Sequence, residues 1–218
     1  MGRLLWGGIL LLITSVILVI ALYLVGRQRI ARHRLPVWFT IPDFHLTNQF
    51  AQPVTRADLI GTVWVADIIF TRCAGPCPQM TQRMGELQAS LPADRRVRLV
   101  TLTTDAAHDT PTVLKSYGDR FGAQPDRWWF LTGDPRAIAD LARDGFKFVA
   151  AEKKLEARTD PADLFVHSTY FVVVDQQGRA RAVFEYAQPE MNERLRRTVE
   201  RLLREELGQA ITHRPTTP

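Results

Sequence analysis

Val63-Trp64-Val65-Ala66-Asp67-Ile68-Ile69-Phe70 runs directly into Thr71-Arg72-Cys73-Ala74-Gly75-Pro76-Cys77-Pro78. The first eight residues are mostly apolar and rich in branched side chains, which predicts a central strand buried on both faces. Beyond them Met80, Met84, Leu87 and Leu91 recur at helical spacing. A helix is therefore expected from about Pro78, a residue suited to a first turn because the N–H it lacks would go unpaired there. Cys73 and Cys77 are the only cysteines in the chain. Four residues apart at the start of a helix, they fall on one face. Both sulfurs can then address one object, either a disulfide bond or a soft metal ion.

Outward from this junction, residues 97–103 read as the next strand and 110–121 as a helix opening on Thr110-Pro111. Residues 128–131 read as a short strand, with Trp128 and Trp129 as strand packing. Gly133-Asp134-Pro135 turns into a helix over 136–144. Residues 146–150 are expected as a strand and the charged stretch 151–164 as a surface loop. Residues 169–174 form a strand, Asp175-Gln176-Gln177-Gly178 a turn, and 180–184 its hairpin partner. An amphipathic helix follows over 189–207. On the N-terminal side, 41–46 is expected to open the folded domain as an edge strand. Met80 and Met84 read as core. Strands alternating with helices, then a hairpin and a closing helix, indicate an α/β sandwich with a mixed central sheet flanked by helices. With cysteines at the first strand–helix junction, the arrangement looks like a thioredoxin-like fold.

Residues 4–25 carry no charge and are almost wholly apolar, long enough for a helix spanning a bilayer core of about 30 Å. Ala21-Leu22-Tyr23-Leu24-Val25 offers no small-x-small cleavage site, so an uncleaved single-span anchor is expected rather than a signal peptide. The expected organisation is a membrane anchor over 1–26, a tether over 27–40, a globular domain over 41–208 and a disordered tail over 209–218. The formal net charge is +5. Five arginines (Arg3, Arg27, Arg29, Arg32, Arg34) flank the apolar segment without any acidic residue, and the remaining 23 basic residues meet 23 acidic ones. A neutral domain has no electrostatic footprint for nucleic acid. The arginines after the span favour a cytoplasmic domain by the positive-inside tendency.

A cysteine attacks, or binds metal, as its thiolate. A helix N-terminus at Cys77 and the neighbouring Arg72 are both expected to depress the thiol pKa. Gly75 and the two prolines argue against burial of the loop. Two thiolates hold Cu(I) or Zn(II) incompletely, and a neutral imidazole is the usual third ligand. Of five histidines, His33 falls in the tether, His213 in the tail, His45 in the opening strand and His108 in a loop. His167 precedes the 169–174 strand. In a thioredoxin-like fold that entry lies beside the loop after the first strand, which makes His167 the geometric candidate. Asp105 and Asp109 read first as capping and turn residues ahead of Thr110-Pro111.

Four features in order resemble the Sco/SenC/PrrC family of membrane-anchored copper proteins. An N-terminal span and tether come first. Phe70-Thr71-Arg72-Cys73-Ala74-Gly75-Pro76-Cys77-Pro78 is similar to the family's F-T-x-C-x-x-x-C-P. Residues 104–114, from Thr104-Asp105 through Asp109-Thr110-Pro111 to Leu114, resemble its V-D-P-x-x-D-T-P-x-x-L. His167-Ser168-Thr169, leading to Val174-Asp175-Gln176-Gln177-Gly178, is similar to its H-S-x-x-x-x-L-x-D-x-x-G. The chain departs in having Ala-Gly-Pro between its cysteines and Ala after Asp105. The resemblance implies a thioredoxin-like fold and one copper ion, Cu(I) or Cu(II), held by Cys73, Cys77 and His167. It implies delivery of copper to the binuclear copper centre of cytochrome c oxidase, with an oxidase subunit and a thiol-reducing protein as partners. Asp105 and Asp109 carry over as residues behind the ligands or facing a partner. That role places the domain on the periplasmic side of a bacterial inner membrane, against the arginine count. The competing reading is a thiol–disulfide oxidoreductase acting on the oxidase subunit's cysteines; a peroxidase is a weaker third. Thioredoxin-type enzymes use C-x-x-C, one residue shorter, and a proline ahead of the strand that His167 precedes.

Overall fold

The computed structural model describes residues 13–23, 35–147, 151–152, 165–166 and 169–212, by their backbone alone at 151–152, 165–166 and 206–212. It divides into two units, 1–35 and 36–218. In the first, residues 13–23 form helix α1, whose apolar side chains are exposed. Among the described residues no helix is long and apolar enough to cross a membrane. Residues 4–12 and 24–25 of the expected span lie outside the described residues.

The second unit is built on an eight-stranded mixed sheet in the order β1-β10-β9-β4-β5-β6-β2-β3. The strands are β1 (Phe39–Thr40), β2 (His45–Asn48), β3 (Pro53–Thr55), β4 (Val63–Ile69), β5 (Val97–Thr103), β6 (Trp128–Thr132), β9 (Tyr170–Val174) and β10 (Arg179–Glu185). A separate pair joins β7 (Ala151–Glu152) to β8 (Phe165–Val166). β4, β5 and β6 are parallel, and β9 runs antiparallel to β4. Helices α2 (Cys77–Ser90) and α3 (Pro111–Arg120) make the two parallel crossovers, while α4 (Pro135–Asp140) follows β6 and α5 (Met191–Thr212) closes the chain.

Every residue of β4 is buried, as its composition predicts. One face of the sheet presents Trp64, Ala66, Ile68, Val100, Leu102, Leu131, Val172 and Val174 to a core completed by Ile41, Phe44, Ile138 and Leu141. On the other face α2 buries Met80, Met84 and Leu87, confirming the core reading of both methionines. Trp128 and Phe130 stack there with ring centres 4.9 Å apart. The β9–β10 turn is held by Asp175, whose Oδ1 accepts from the backbone N–H groups of Gln177 and Arg179. Gly178 in that turn has φ +76°, a left-handed conformation that other residues adopt only at a cost.

Several expectations change. Residues 41–46 do not form one edge strand: β1 pairs with β10 at one edge, and β2 lies next to β3 at the other. Pro42 supplies no N–H for a ladder and biases Ile41 toward extended backbone, so the chain leaves the sheet there and drops Ile41 and Phe44 into the core. The helix over 136–144 is α only to Asp140 and widens into a π turn over Leu141–Gly145. Gly145 sits where a Cβ would come 2.8 Å from Leu141 and 3.0 Å from Pro42, so the chain fits only with glycine there. Phe146 is not in a strand; it packs edge-on against Trp64 with ring centres 5.7 Å apart. Residues 148–150 lie outside the described residues. The charged stretch opens in β7 and is followed by β8, and α5 runs through Thr212 into the expected tail.

Candidate metal centre

The cysteine loop leaves the C-terminal end of β4. Its first turn closes with the Cys73 N–H donating to the Phe70 carbonyl at 3.2 Å. α2 begins at Cys77, as expected, with Pro76 at its N-cap and Pro78 in its first turn. The Gly75 N–H points at Cys73 Sγ at 3.4 Å. No disulfide joins the two cysteines, and both are buried: Cys73 is 7 % exposed and Cys77 fully enclosed. The loop is exposed as expected at Arg72, Ala74, Gly75 and Pro78, but its two cysteines turn inward beneath it. Phe70 anchors its start in the core, and the helix draws Cys77 under the sheet's end.

The expected depression of the thiol pKa fails at Cys77. Cys77 is pushed far up by its hydrogen bond with the Cys73 thiol, then by burial and by the repulsion of negative charge at Cys73 and Asp67. Arg72 does not offset this, because its guanidinium turns to Asp105, with Nε 3.1 Å from Oδ2.

Asp105 and Asp109 do not cap α3. Thr110 caps α3 through its own hydroxyl, which accepts from the Val113 N–H. Asp109 is fully buried and ties the cysteine loop to the segment after β5. Its Oδ2 accepts from the Thr71 N–H at 3.0 Å and from the Thr103 hydroxyl, while Oδ1 accepts from the Thr71 hydroxyl. His108 Nδ1 lies 3.0 Å from Oδ1 of the same carboxylate. Asp105, His108 and Asp109 are close enough to hold an ion together, but the Asp109 oxygens are already occupied by these donors. The cluster is a brace for the loop.

Asp67, one register step deeper on β4, is a site residue that the sequence reading passed over. It pairs with Thr101 across the parallel ladder and accepts its hydroxyl proton at 2.6 Å. Trp128 Nε1–H in turn donates to Thr101 Oγ1 at 2.9 Å. The other oxygen, Oδ2, is buried with no hydrogen-bond partner. Burial raises the carboxyl pKa to about 7, with the Thr101 bond opposing it. A lone carboxylate inside a strand apolar on both faces was the available signal. Below α2, the Thr81 hydroxyl bonds the Cys77 carbonyl and lies 3.1 Å from the Tyr117 hydroxyl, stitching α2 to α3.

His167 lies outside the described residues. β9 pairs Ala66 with Val172 and Trp64 with Val174, so its first residue, Tyr170, lies toward the end of β4 that leads into the cysteine loop.

The family model SCO1/SenC matches residues 38–204. An SCO1 protein homolog of Bacillus subtilis is 34 % identical over 146 residues, 66 % of this chain and 72 % of that protein. Among solved structures, that of BsSco, described as a member of the Sco family of cytochrome c oxidase assembly proteins with a disulfide switch, superposes with TM-score 0.66 at 26 % identity. The match covers 78 % of this chain and 97 % of that one. Bradyrhizobium japonicum ScoI, solved with copper bound, shares the fold with TM-score 0.63 at 23 % identity, over 75 % of this chain and 99 % of its own. A thioredoxin-like mixed sheet with two cysteines where its first parallel strand meets α2, and a family match over most of the chain, place this protein in the SCO1/SenC family.

Proposed function

We propose that the protein is a membrane-tethered copper metallochaperone that takes one copper ion on Cys73, Cys77 and His167 and delivers it to the binuclear copper centre of cytochrome c oxidase. The observation that carries this is the pairing of two buried cysteines on one braced loop. Two sulfurs and an imidazole make a soft, low-coordinate set that suits Cu(I) and tolerates Cu(II). The copper bound to ScoI of Bradyrhizobium japonicum and the oxidase-assembly role of the Sco family support the same ion and recipient.

The chain's own residues prepare the transfer. The Asp109 brace fixes the loop so that the sulfurs keep their separation, and burial keeps competing water out. With the Cys77 pKa raised, the empty site keeps a proton on Cys77. Copper loading releases it, so affinity rises with pH. Transfer then proceeds by exchange of ligands with cysteines of the recipient, which returns a proton to Cys77. Residues 4–25 serve as an anchor holding the domain on the periplasmic face of a bacterial inner membrane, and a tether raises its effective concentration at a membrane-bound recipient. The thiols must be reduced before loading, which implies a thiol-reducing partner. A thiol–disulfide oxidoreductase needs a ready thiolate, and the raised Cys77 pKa disfavours that reading.

The test is copper titration of full-length His167→Ala, Cys73→Ser and Cys77→Ser. Each loses copper affinity by orders of magnitude, while His167→Ala keeps two titratable thiols. Copper binding by His167→Ala equal to the parent removes the ligand assignment. Brisk insulin reduction by the parent protein promotes the oxidoreductase.

A further inference from the structure

Where β5 and β6 begin, at the opposite end of these strands from the thiols, a cavity of about 470 Å³ is walled by Phe50, Arg95, Arg98, Asp126 and Trp129. β5 is seven residues long, which puts this cavity roughly 20 Å from the cysteine loop at the usual rise per strand residue. The Arg98 guanidinium lies flat on the indole of Trp129, 3.6 Å from the ring centre. Its Nε is buried without a hydrogen-bond partner. Arginine cannot shed its proton to escape that position, and a buried donor is ordinarily satisfied.

Neighbouring arginines each hold a partner. Arg96 grips both carboxylate oxygens of Asp94, and Arg127, although its Nε is also buried without a partner, donates through Nη2 to the carbonyls of Leu91 and Pro92. Arg95 and Arg98 have no such ion pair or hydrogen bond among the described residues. Asp126 acts on Arg98 through space only. Two arginines thus line one cavity against one carboxylate, beside Phe50 and Trp129.

We propose that this cavity binds a small oxyanion ligand, a phosphate monoester or a carboxylate carried on a planar group. Arg98 takes the anion with its fork of donors, Arg95 closes on it, and the planar carrier lies against Phe50. A guanidinium fork matches two oxygens of either anion at once. Stacking on Trp129 holds Arg98 in place, so little side-chain freedom is lost on binding. The volume lies within the usual range for small-molecule sites. The site is separate from the thiols and does not depend on the copper reading.

The experiment titrates the full-length chain calorimetrically with phenyl phosphate, benzoate and inorganic phosphate, while following tryptophan fluorescence. Saturable one-to-one binding of phenyl phosphate or benzoate is expected, weakening as salt rises. The order of the two identifies the anion, and inorganic phosphate reports what the carrier adds. Arg98→Gln lowers the affinity by about tenfold or more and Arg95→Gln by less, with copper loading and thermal melting as in the parent. No saturable binding of any probe up to roughly 10 mM overturns the proposal. So does parent-like affinity in a folded Arg98→Gln. If that variant fails to fold, parent-like affinity in Arg95→Gln together with insensitivity to salt overturns it equally.

Discussion

Replacing Asp67 by asparagine removes a titrating group from the centre of β4, and the consequence is a change in how stability depends on pH. The Asp67 carboxyl is fully buried, with a pKa of about 7 against an ordinary 3.8. Between those values the native chain holds a proton that the unfolded chain has released, so native stability falls as pH rises. The protonated form's advantage is complete below pH 4 and gone once pH passes the folded value near 7. A separation of about three pH units corresponds to about 4 kcal/mol at 1.36 kcal/mol per unit, an upper bound because water entry relieves part of the burial. The substituted amide does not titrate in either state. The difference in unfolding free energy, variant minus parent, should therefore grow by up to about 4 kcal/mol from pH 4 to pH 8. Any fixed cost of placing an amide at the orphan Oδ2 position, or of disturbing the Thr101 bond, cancels in that change with pH. The assay is urea unfolding of the copper-free, reduced full-length chain by circular dichroism at pH 4, 6 and 8. A parent and variant with parallel pH profiles refute the reasoning, and so does a difference that shrinks with pH.

Other outcomes follow from the same geometry. Cys77, with its pKa raised by Cys73 and by burial, should alkylate at pH 7.5 far more slowly than an unfolded control and accelerate in Asp67→Asn; equal rates for folded and unfolded chains contradict the site described. Asp109→Asn deprives Thr71 and Thr103 of a shared carboxylate and should cost about 2 kcal/mol or more of stability, with faster exchange of the Thr71 amide by hydrogen-exchange measurement. Asp105→Asn loosens an ion pair whose arginine is half exposed, so it should change stability by under about 1 kcal/mol in the same urea assay. Met84→Ala opens a cavity in a fully buried site under the sheet and should cost about 2–5 kcal/mol, measured by thermal unfolding.

Much of the fold was legible because it rests on local patterns. The unbroken apolar run 63–70 had no polar side to offer water and so marked a strand with both faces covered. The spacing of Met80, Met84 and Leu87 fixed which side of α2 turns inward. The two cysteines on one loop followed from chain proximity alone. What depends on distant partners was not readable. The sequence offered Arg72 as a charge beside Cys73, but the side chain answers to Asp105, 33 residues on. Asp109 looked like a capping residue because capping is the local option; folding gave it better donors in Thr71 and Thr103. The protonation of Cys77 likewise reversed direction. A helix N-terminus favours thiolate only while solvent screens the rest, and here burial and a second sulfur outweigh the dipole. Local sequence thus determined where the sulfurs are and which elements hold them. Only tertiary packing decided what surrounds them, because charge–charge and desolvation energies are set by neighbours in space that no sequence interval specifies.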